Sequence, residues 1–244
     1  MKRILILSNI DGGLYNFRRE LMKKLCDDGN EVFCAFSFGE KRKLIEELGC
    51  RCINVEVSRR GTNPITDLIL LFRYIKLIKK LKPDAILTYT IKPNIYGGIA
   101  ARLLKIPYFT NITGLGTAIE NGGFMQKMTL WLYKIGLKKS ERVFFQNSAN
   151  MEFMVDKKIV SGSYELLPGS GVNLDIHSFE EYPESDENIV FLIIGRIMKN
   201  KGTAEILESA KIIKQKHPEV IFRFVGGTDG SFEKELSEAV EAGL

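Results

Sequence analysis

The sequence is short of the groups that carry most acid–base and metal chemistry. Only two histidines occur in 244 residues, His177 in a polar stretch and His217 near a helix end. A histidine base or a histidine-rich metal site therefore has little material. No Asp-x-Asp pair is present, which argues against a divalent cation bridging a nucleotide diphosphate. The first strand-like run is not followed by Gly-x-Gly-x-x-Gly. The second, "EVFCAFSFG", ends without an acidic residue to hold a ribose, which argues against an NAD-dependent dehydrogenase. No phosphate-loop lysine motif occurs, and no apolar run approaches the about 18 residues that span a bilayer. The four cysteines, Cys26, Cys34, Cys50 and Cys52, lie in the first quarter of the chain. Alternation sends Cys50 and Cys52 to one face of a strand, but structural zinc takes four ligands and no other Cys or His is near. Reduced thiols and no metal site are expected. The opening "MKRILILSNIDGG" has an apolar run too short for a signal peptide and reads as a first strand leading into a glycine turn.

What is present is an alternation. Strand-like runs appear at "RILILS", "EVFCAF", "CINVEV", "DAILTY", "PYFTNIT", "RVFFQN" and "YELLP", with helical spacing between them. In "NFRRELMKKLCDDG", Phe17, Leu21 and Leu25 predict the buried stripe, with Gly29 as C-cap. In "ITDLILLFRYIKLIKKLKP" the stripe is Leu68, Leu71, Phe72, Ile75 and Ile78. Strands apolar on both faces between helices predict a parallel sheet covered on both sides. Residues 169–187 break the rhythm with Gly, Pro, Ser and acidic residues and read as a linker. The pattern then restarts with "IVFLIIG", "TAEILESAKIIKQKHP", "VIFRFVG" and "SFEKELSEAVEAG". Two strands and two helices are few for a parallel sheet, so the second domain is expected to be incomplete.

In parallel sheets of this kind, ligands sit beyond the carboxyl ends of the strands. Those ends carry "SNIDGGLYN", "YTIKPNIYGG", "NITGLGT", "GRIMKNKG" and "VGGTDG", all rich in glycine. In "GRIMKNKG", Arg196 follows a strand and Lys201 precedes a helix whose first turn includes Gly202 and Thr203. A guanidinium, an ammonium and free helix N–H groups together suit a diphosphate. The same residues also fit a solvated basic turn. The net charge of +5 is compatible with an anionic partner. No basic cluster is interleaved with exposed aromatics, so nucleic acid is not an expected partner.

The strand–"GR…KG"–helix unit, "GSGV" and "FVGG" resemble the nucleotide-sugar glycosyltransferases of the GT-B fold, and most closely the retaining glycosyltransferase family four. The runs "SNIDGGLYNFRREL", "SRRGTNP", "YTIKPNIYG" and "ITGLGT" are similar to the branch that builds capsule, O-antigen and lipid-linked glycans, including N-acetylhexosaminyl transfer to undecaprenyl-diphosphate intermediates. The resemblance spans essentially the whole chain. It implies two Rossmann-type domains: an acceptor-binding one over 1–168 and, after the linker, a partial nucleotide-sugar-binding one over 188–244. It implies that Arg196 and Lys201, with Gly195 and Gly202, hold the donor's diphosphate. It also implies a donor and acceptor cleft containing Gly12, Gly13, Thr90, Lys92, Asn94, Gly114 and Gly116. The family's Glu-x7-Glu element has no counterpart at the right place. Glu233 and Glu241 have the spacing but follow "VGGTDG" too soon and read as solvent-facing, so the element is expected beyond Leu244 and the catalytic residues are unassigned.

The implied reaction moves a sugar, with retention, from a nucleotide diphosphate sugar such as a UDP-sugar to a lipid-linked or polysaccharide acceptor, with no cofactor and no metal. Two other readings stay open: an inactive remnant or binding module, and a nucleotide-sugar epimerase of related architecture. Two helices are both apolar and basic. One has Arg73, Lys76, Lys79 and Lys80; the other has Trp131 and Tyr133 with Lys134, Lys138 and Lys139. Peripheral contact with anionic lipid at the inner face of the plasma membrane is expected, chiefly through the second helix, in an otherwise cytoplasmic protein.

Overall fold

The computed structural model describes residues 1–58, 63–116, 119, 122–181, 189–228 and 230–241. Residues 59–62 of "SRRGTNP", Thr117 of "ITGLGT", Asp229 of "VGGTDG", residues 182–187 of the predicted linker and Asn188 lie outside that set. The chain divides into two compact units, Met1–Asn173 and Leu174–Leu244, and the division falls inside the polar stretch at 169–187.

The first unit is built on seven parallel strands: β1 (Arg3–Ile10), β2 (Glu31–Ser37), β3 (Arg51–Asn54), β4 (Ala85–Tyr89), β5 (Tyr108–Ile112), β6 (Arg142–Phe145) and β7 (Tyr164–Leu166). Their order is β3-β2-β1-β4-β5-β6-β7. The central strands alternate between two apolar layers. Leu5 and Leu7 join Ile86, Tyr74 and Tyr133 on one side. Ile6 joins Leu14, Met22, Cys34 and Phe36 on the other. Burial on both faces is why these runs read as continuous apolar stretches.

Helix α1 (Asp11–Asp27) follows β1 directly, so Asp11, Gly12 and Gly13 form its first turn where the sequence suggested a glycine turn. Its buried stripe is Asp11, Leu14, Arg18 and Met22. The predicted stripe is rotated by about one residue: Phe17 and Leu21 face outward. Four-residue spacing alone fitted either phase, and an arginine occupies the buried one. Helix α2 (Arg42–Glu47) packs beside α1.

Helix α3 (Pro64–Leu81) starts with Asn63 accepting from the Ile65 N–H at 2.9 Å and with proline in its first turn. It stops at Lys82, which is left-handed at φ 48, one residue before Pro83. The expected stripe is met in part: Ile78 is buried and Leu71 and Ile75 pack against the core. Leu70 and Tyr74 are the other buried residues, whereas Leu68 is 53% and Phe72 61% exposed.

A π-helical turn, Pro93–Gly97, leads into α4 (Gly98–Leu103), which packs against α5 (Gly123–Leu137). The two backbones approach closely at two glycines. A Cβ on Gly98 would stand 2.3 Å from the Gly136 carbonyl oxygen, and one on Gly136 would stand 2.7 Å from Ile95 Cα. The buried Tyr108 hydroxyl reaches the carbonyl oxygens of Gly136 and Lys138 at 2.8 and 2.7 Å and fixes the end of α5. Helix α6 (Ser148–Asp156) is capped by Asn147, which accepts from the Asn150 N–H.

In the second unit, β8 (Val190–Ile194) and β9 (Ile221–Val225) form a two-stranded parallel sheet. It is accompanied by α7 (Thr203–Lys216) and α8 (Glu233–Glu241). Phe191 stacks on Phe222 at 5.1 Å, and Leu192 and Ile194 remain exposed. Glu233 and Glu241 face solvent.

Gly136→Ala should destabilise the first unit by about 2 kcal/mol or more, because backbone rather than a flexible side chain must yield. A urea midpoint unchanged from wild type would show that α5 and the π-helical turn separate at no cost.

Candidate functional site

The strand order reverses between β1 and β4, which places the topological switch point, and the crevice it opens, at their carboxyl ends. Five of the predicted residues, Gly12, Gly13, Thr90, Lys92 and Asn94, follow these two strands. Gly12 and Gly13 lie just beyond β1, and a Cβ on either would meet nothing within 4 Å. Neither has a positive φ, so what they supply is open space rather than an unusual backbone. Thr90 follows β4 at φ 70, a conformation that β-branched residues rarely adopt. Its carbonyl oxygen accepts from the Asn94 N–H at 3.0 Å, which ties the strained residue to the π-helical turn.

Lys92 is engaged internally. Its ammonium lies 2.6 Å from Asp67 of α3, with side chains only 11% and 15% exposed. The Tyr96 hydroxyl donates to the other Asp67 oxygen at 2.9 Å. Burial pushes the Tyr96 phenol well up, and the Asp67 carboxylate adds to this. The predicted ligand-facing lysine is thus a tie between α3 and the turn after β4. Asn94 is buried and donates to the Asn111 carbonyl oxygen at 3.0 Å.

Gly114 and Gly116 follow β5. Gly114 has open space at its Cβ position. Gly116 takes φ +72, and a Cβ there would come within 3.0 Å of Ile91. Among the described residues, the buried side-chain oxygens of Asn9, Asn94 and Asn111 accept no hydrogen bond. All three belong to the carboxyl ends of β1, β4 and β5, where polar groups collect without being mutually satisfied.

Two residues at this edge, Asp11 and Arg18, escaped the sequence reading. Asp11 is buried, and its carboxylate accepts from the Gly12 N–H at 2.7 Å and the Lys41 N–H at 2.8 Å. It thereby anchors the loop after β2, where a Cβ on Gly39 would collide with it at 2.6 Å. Arg18 lies over the ring of Tyr89, 5.1 Å from its centroid. Burial raises the Tyr89 phenol, and Arg18 opposes part of that rise. The only sequence signal for Arg18 was a cation inside an apolar helical pattern, and Arg19 beside it made the phase ambiguous.

The second unit brings Gly195, Arg196, Lys201 and Gly202 into one loop between β8 and α7. The Gly195 N–H donates to the Val225 carbonyl oxygen at 3.0 Å, and Ile197 pairs with Thr228 beyond the strands. Lys201 closes a 3-10 turn, Lys199–Lys201, and Gly202 follows in the left-handed region at φ 72. Helix α7 therefore begins after Gly202, with Gly202 as its N-cap rather than in its first turn. The Thr203 hydroxyl, which accepts from the Met198 N–H and donates to the Met198 carbonyl oxygen, both at 3.0 Å, pins the loop. No side chain caps α7, so its first-turn N–H groups are open to a ligand. Arg196 and Lys201 are exposed, and neither has an ion-pair partner among the described residues. Gly226 was missed: its Cβ would stand 1.9 Å from the Gly195 carbonyl oxygen, so the two βα loops meet only because it is glycine. The described residues contain no group of His, Cys, Asp and Glu able to hold a metal ion.

Comparison with known proteins bears on this arrangement. Residues 3–147 match the family model described as glycosyl transferase 4-like. The chain belongs to this family. Residues 176–243 match a second model, glycosyl transferases group 1. A Campylobacter jejuni relative, N,N'-diacetylbacillosaminyl-diphospho-undecaprenol alpha-1,3-N-acetylgalactosaminyltransferase, is 32% identical over 244 residues, covering 93% of this chain and 64% of the relative. An Escherichia coli UDP-Gal:alpha-D-GlcNAc-diphosphoundecaprenol alpha-1,3-galactosyltransferase is 25% identical over 200 residues, covering 76% of this chain and 51% of its own. The chain thus spans between about half and two thirds of the length of these relatives. Among solved structures, Anabaena HepE in complex with UDP aligns with a TM-score of 0.71 at 15% identity, covering 100% of this chain and 66% of that one. Sucrose-phosphate synthase from Thermosynechococcus elongatus aligns with a TM-score of 0.66 at 17% identity, covering 100% and 68%. These likenesses establish the fold, α/β of the GT-B class with parallel sheets.

Asp67→Ala would strand the Lys92 ammonium and the Tyr96 hydroxyl together. A loss of roughly 2 to 3 kcal/mol is expected from denaturant unfolding. A loss below about 0.5 kcal/mol would mean that the tie between α3 and the β4 turn carries no stability.

Proposed function

We propose that the protein acts as a glycosyltransferase of lipid-linked glycan assembly. It moves a sugar from a nucleotide diphosphate sugar to a saccharide carried on a lipid diphosphate, with retention of configuration. The observation that carries this reading is the β8–α7 loop: two exposed, unpaired cations beside an uncapped helix N-terminus. It occurs in a chain 32% identical to a transferase whose name specifies a diphospho-undecaprenol substrate. Arg196 and Lys201 meet the donor's diphosphate, and the α7 amides add directed donors. The bond from the anomeric carbon to the diphosphate oxygen breaks, and an acceptor hydroxyl oxygen bonds to that carbon from the same face. The hydroxyl proton passes to the departing diphosphate. The two cations stabilise the negative charge that grows as the bond breaks, which is where fixed charge accelerates a reaction. The crevice at the carboxyl ends of β1 and β4 receives the acceptor.

A lipid-borne acceptor requires approach to a membrane surface, and the helix exposures support one. On α3 the outward residues Ile65, Leu68, Ile69 and Phe72 recur at helical spacing over the first two turns. Arg73, Lys76, Lys79 and Lys80 continue the same side toward the other end. Helix α5 adds exposed Phe124 and Trp131 with Lys134 and Lys138, whereas Tyr133 is fully buried and belongs to the core. The apolar half of α3 lies at the carboxyl edge of the sheet, beside the acceptor crevice. Among the described residues no helix is long and apolar enough to cross a membrane.

Transfer from a panel of nucleotide sugars to short-chain lipid-diphosphate saccharides tests the reaction. Arg196→Ala and Lys201→Ala should each lower turnover by roughly 10²-fold or more. Donor kinetics unchanged in both folded variants would sink the assignment.

Vesicles rich in phosphatidylglycerol should co-sediment the protein, less so in high salt, at about 1 kcal/mol per lysine near the surface. Leu68→Asp with Phe72→Asp should weaken binding at every salt concentration. Charge reversal at Lys76, Lys79 and Lys80 should remove chiefly the salt-sensitive part. Equal binding by both variants and wild type would leave α3 an ordinary solvated helix.

A further inference from the structure

We infer that Arg18 is a phosphate-binding residue of the acceptor crevice, its guanidinium taking a phosphate oxygen of the acceptor's lipid diphosphate. This rests on the reading of the first unit as the acceptor side. Arg18 occupies the sheet-facing stripe of α1, between Leu14 and Met22, where apolar side chains would otherwise fill the core. Long side chains on a helix lean toward its N-terminus. For α1 that direction is the carboxyl edge of the sheet, and the guanidinium accordingly lies over Tyr89, the last residue of β4. It therefore stands at the switch point itself, beside the open positions of Gly12 and Gly13 and the strained Thr90.

The charge accounting at this arginine is unfinished. The residue is 9% exposed, yet among the described residues no carboxylate lies within ion-pair distance. Its polar partners are neutral oxygens: Nη1 donates to the Phe17 carbonyl oxygen at 2.5 Å, and the guanidinium also reaches the Tyr89 hydroxyl. The nearest carboxyl on the same stripe, Asp11, spends both oxygens on the Gly12 and Lys41 amides. A guanidinium taken out of water without an anion is costly, and proteins retain such a group where a ligand supplies the counter-charge. A planar guanidinium fork, backed by an aromatic ring, matches a phosphate oxygen pair better than a neutral sugar hydroxyl. Both a lipid diphosphate and a nucleotide diphosphate present that chemistry. The position on α1, in the unit that lacks the Arg196 loop, favours the lipid one.

The test uses the full chain labelled with [15N]arginine, in which the Nε–H resonances of Arg18 and Arg196 report separately. Geranyl diphosphate and inorganic pyrophosphate should shift the Arg18 signal, while UDP should shift that of Arg196. Arg18→Gln should weaken geranyl diphosphate binding by about tenfold or more, and Arg18→Lys by less, because the charge remains but the fork is lost. The wild-type resonance is read without any substitution, so misfolding of a variant does not obscure the answer. An Arg18 signal unmoved by geranyl diphosphate would overturn the inference, as would one moved only by UDP. A moved Arg18 signal in a protein that transfers no sugar would uphold the inference and reject the transferase reading.

Discussion

The ladder between β1 and β4 is the constraint on which the first unit depends. Ile4 to Leu7 pair with Ala85 to Thr88, although some eighty residues, three helices and two strands lie between the segments. The chain builds β2 and β3 on one side of β1, then returns through α3 to build β4 to β7 on the other. Two consequences follow from that reversal. The βα connections diverge at the carboxyl ends of β1 and β4, leaving a crevice no single loop can close. Helix α3, which makes the return, must seat Tyr74 in the core and carry Asp67 to the turn after β4.

The polar chemistry concentrates where the ladder ends. Thr90 departs from ordinary backbone geometry, and among the described residues three asparagine oxygens lack partners and no carboxylate pairs with Arg18. Elsewhere in the first unit the interior is conventional, with close-packed apolar layers and a glycine contact between α4 and α5. Apart from the buried Tyr74 and Tyr133 hydroxyls, the side-chain atoms without partners among the described residues gather at this edge. The second unit has a simpler design. One loop, held by the Met198 and Thr203 hydrogen bonds and by the glycine contact at Gly226, presents two free cations beside a helix terminus.

The strand positions were legible, because a strand buried on both faces leaves a compact apolar, β-branched run whatever its neighbours are. The alternation announced the α/β class for the same reason, and the loop holding Arg196 and Lys201 stood out because two cations and two glycines sit between a strand-like run and a helical one. Residues whose role depends on a distant partner were less legible. Lys92 looked ligand-facing until Asp67, twenty-five positions earlier, met it across α3. Gly195 drew attention in the sequence, but Gly226 is the glycine that steric contact requires.

The sequence by itself determined the elements, their class and the glycine-rich edges where they end, since those follow from local periodicity and from backbone conformations open to few residue types. Only the tertiary structure decided which side of each helix faces inward. An amphipathic pattern in α1 or α3 fits two phases nearly equally, and the choice is made by what the opposing sheet can accept. In α1 that choice buries Arg18 and turns Phe17 outward; in α3 it buries Tyr74 and exposes Leu68 and Phe72. The buried Arg18 and the exposed apolar side of α3 both arise from those two rotations, because packing against a partner, unlike periodicity, is a property of the whole chain.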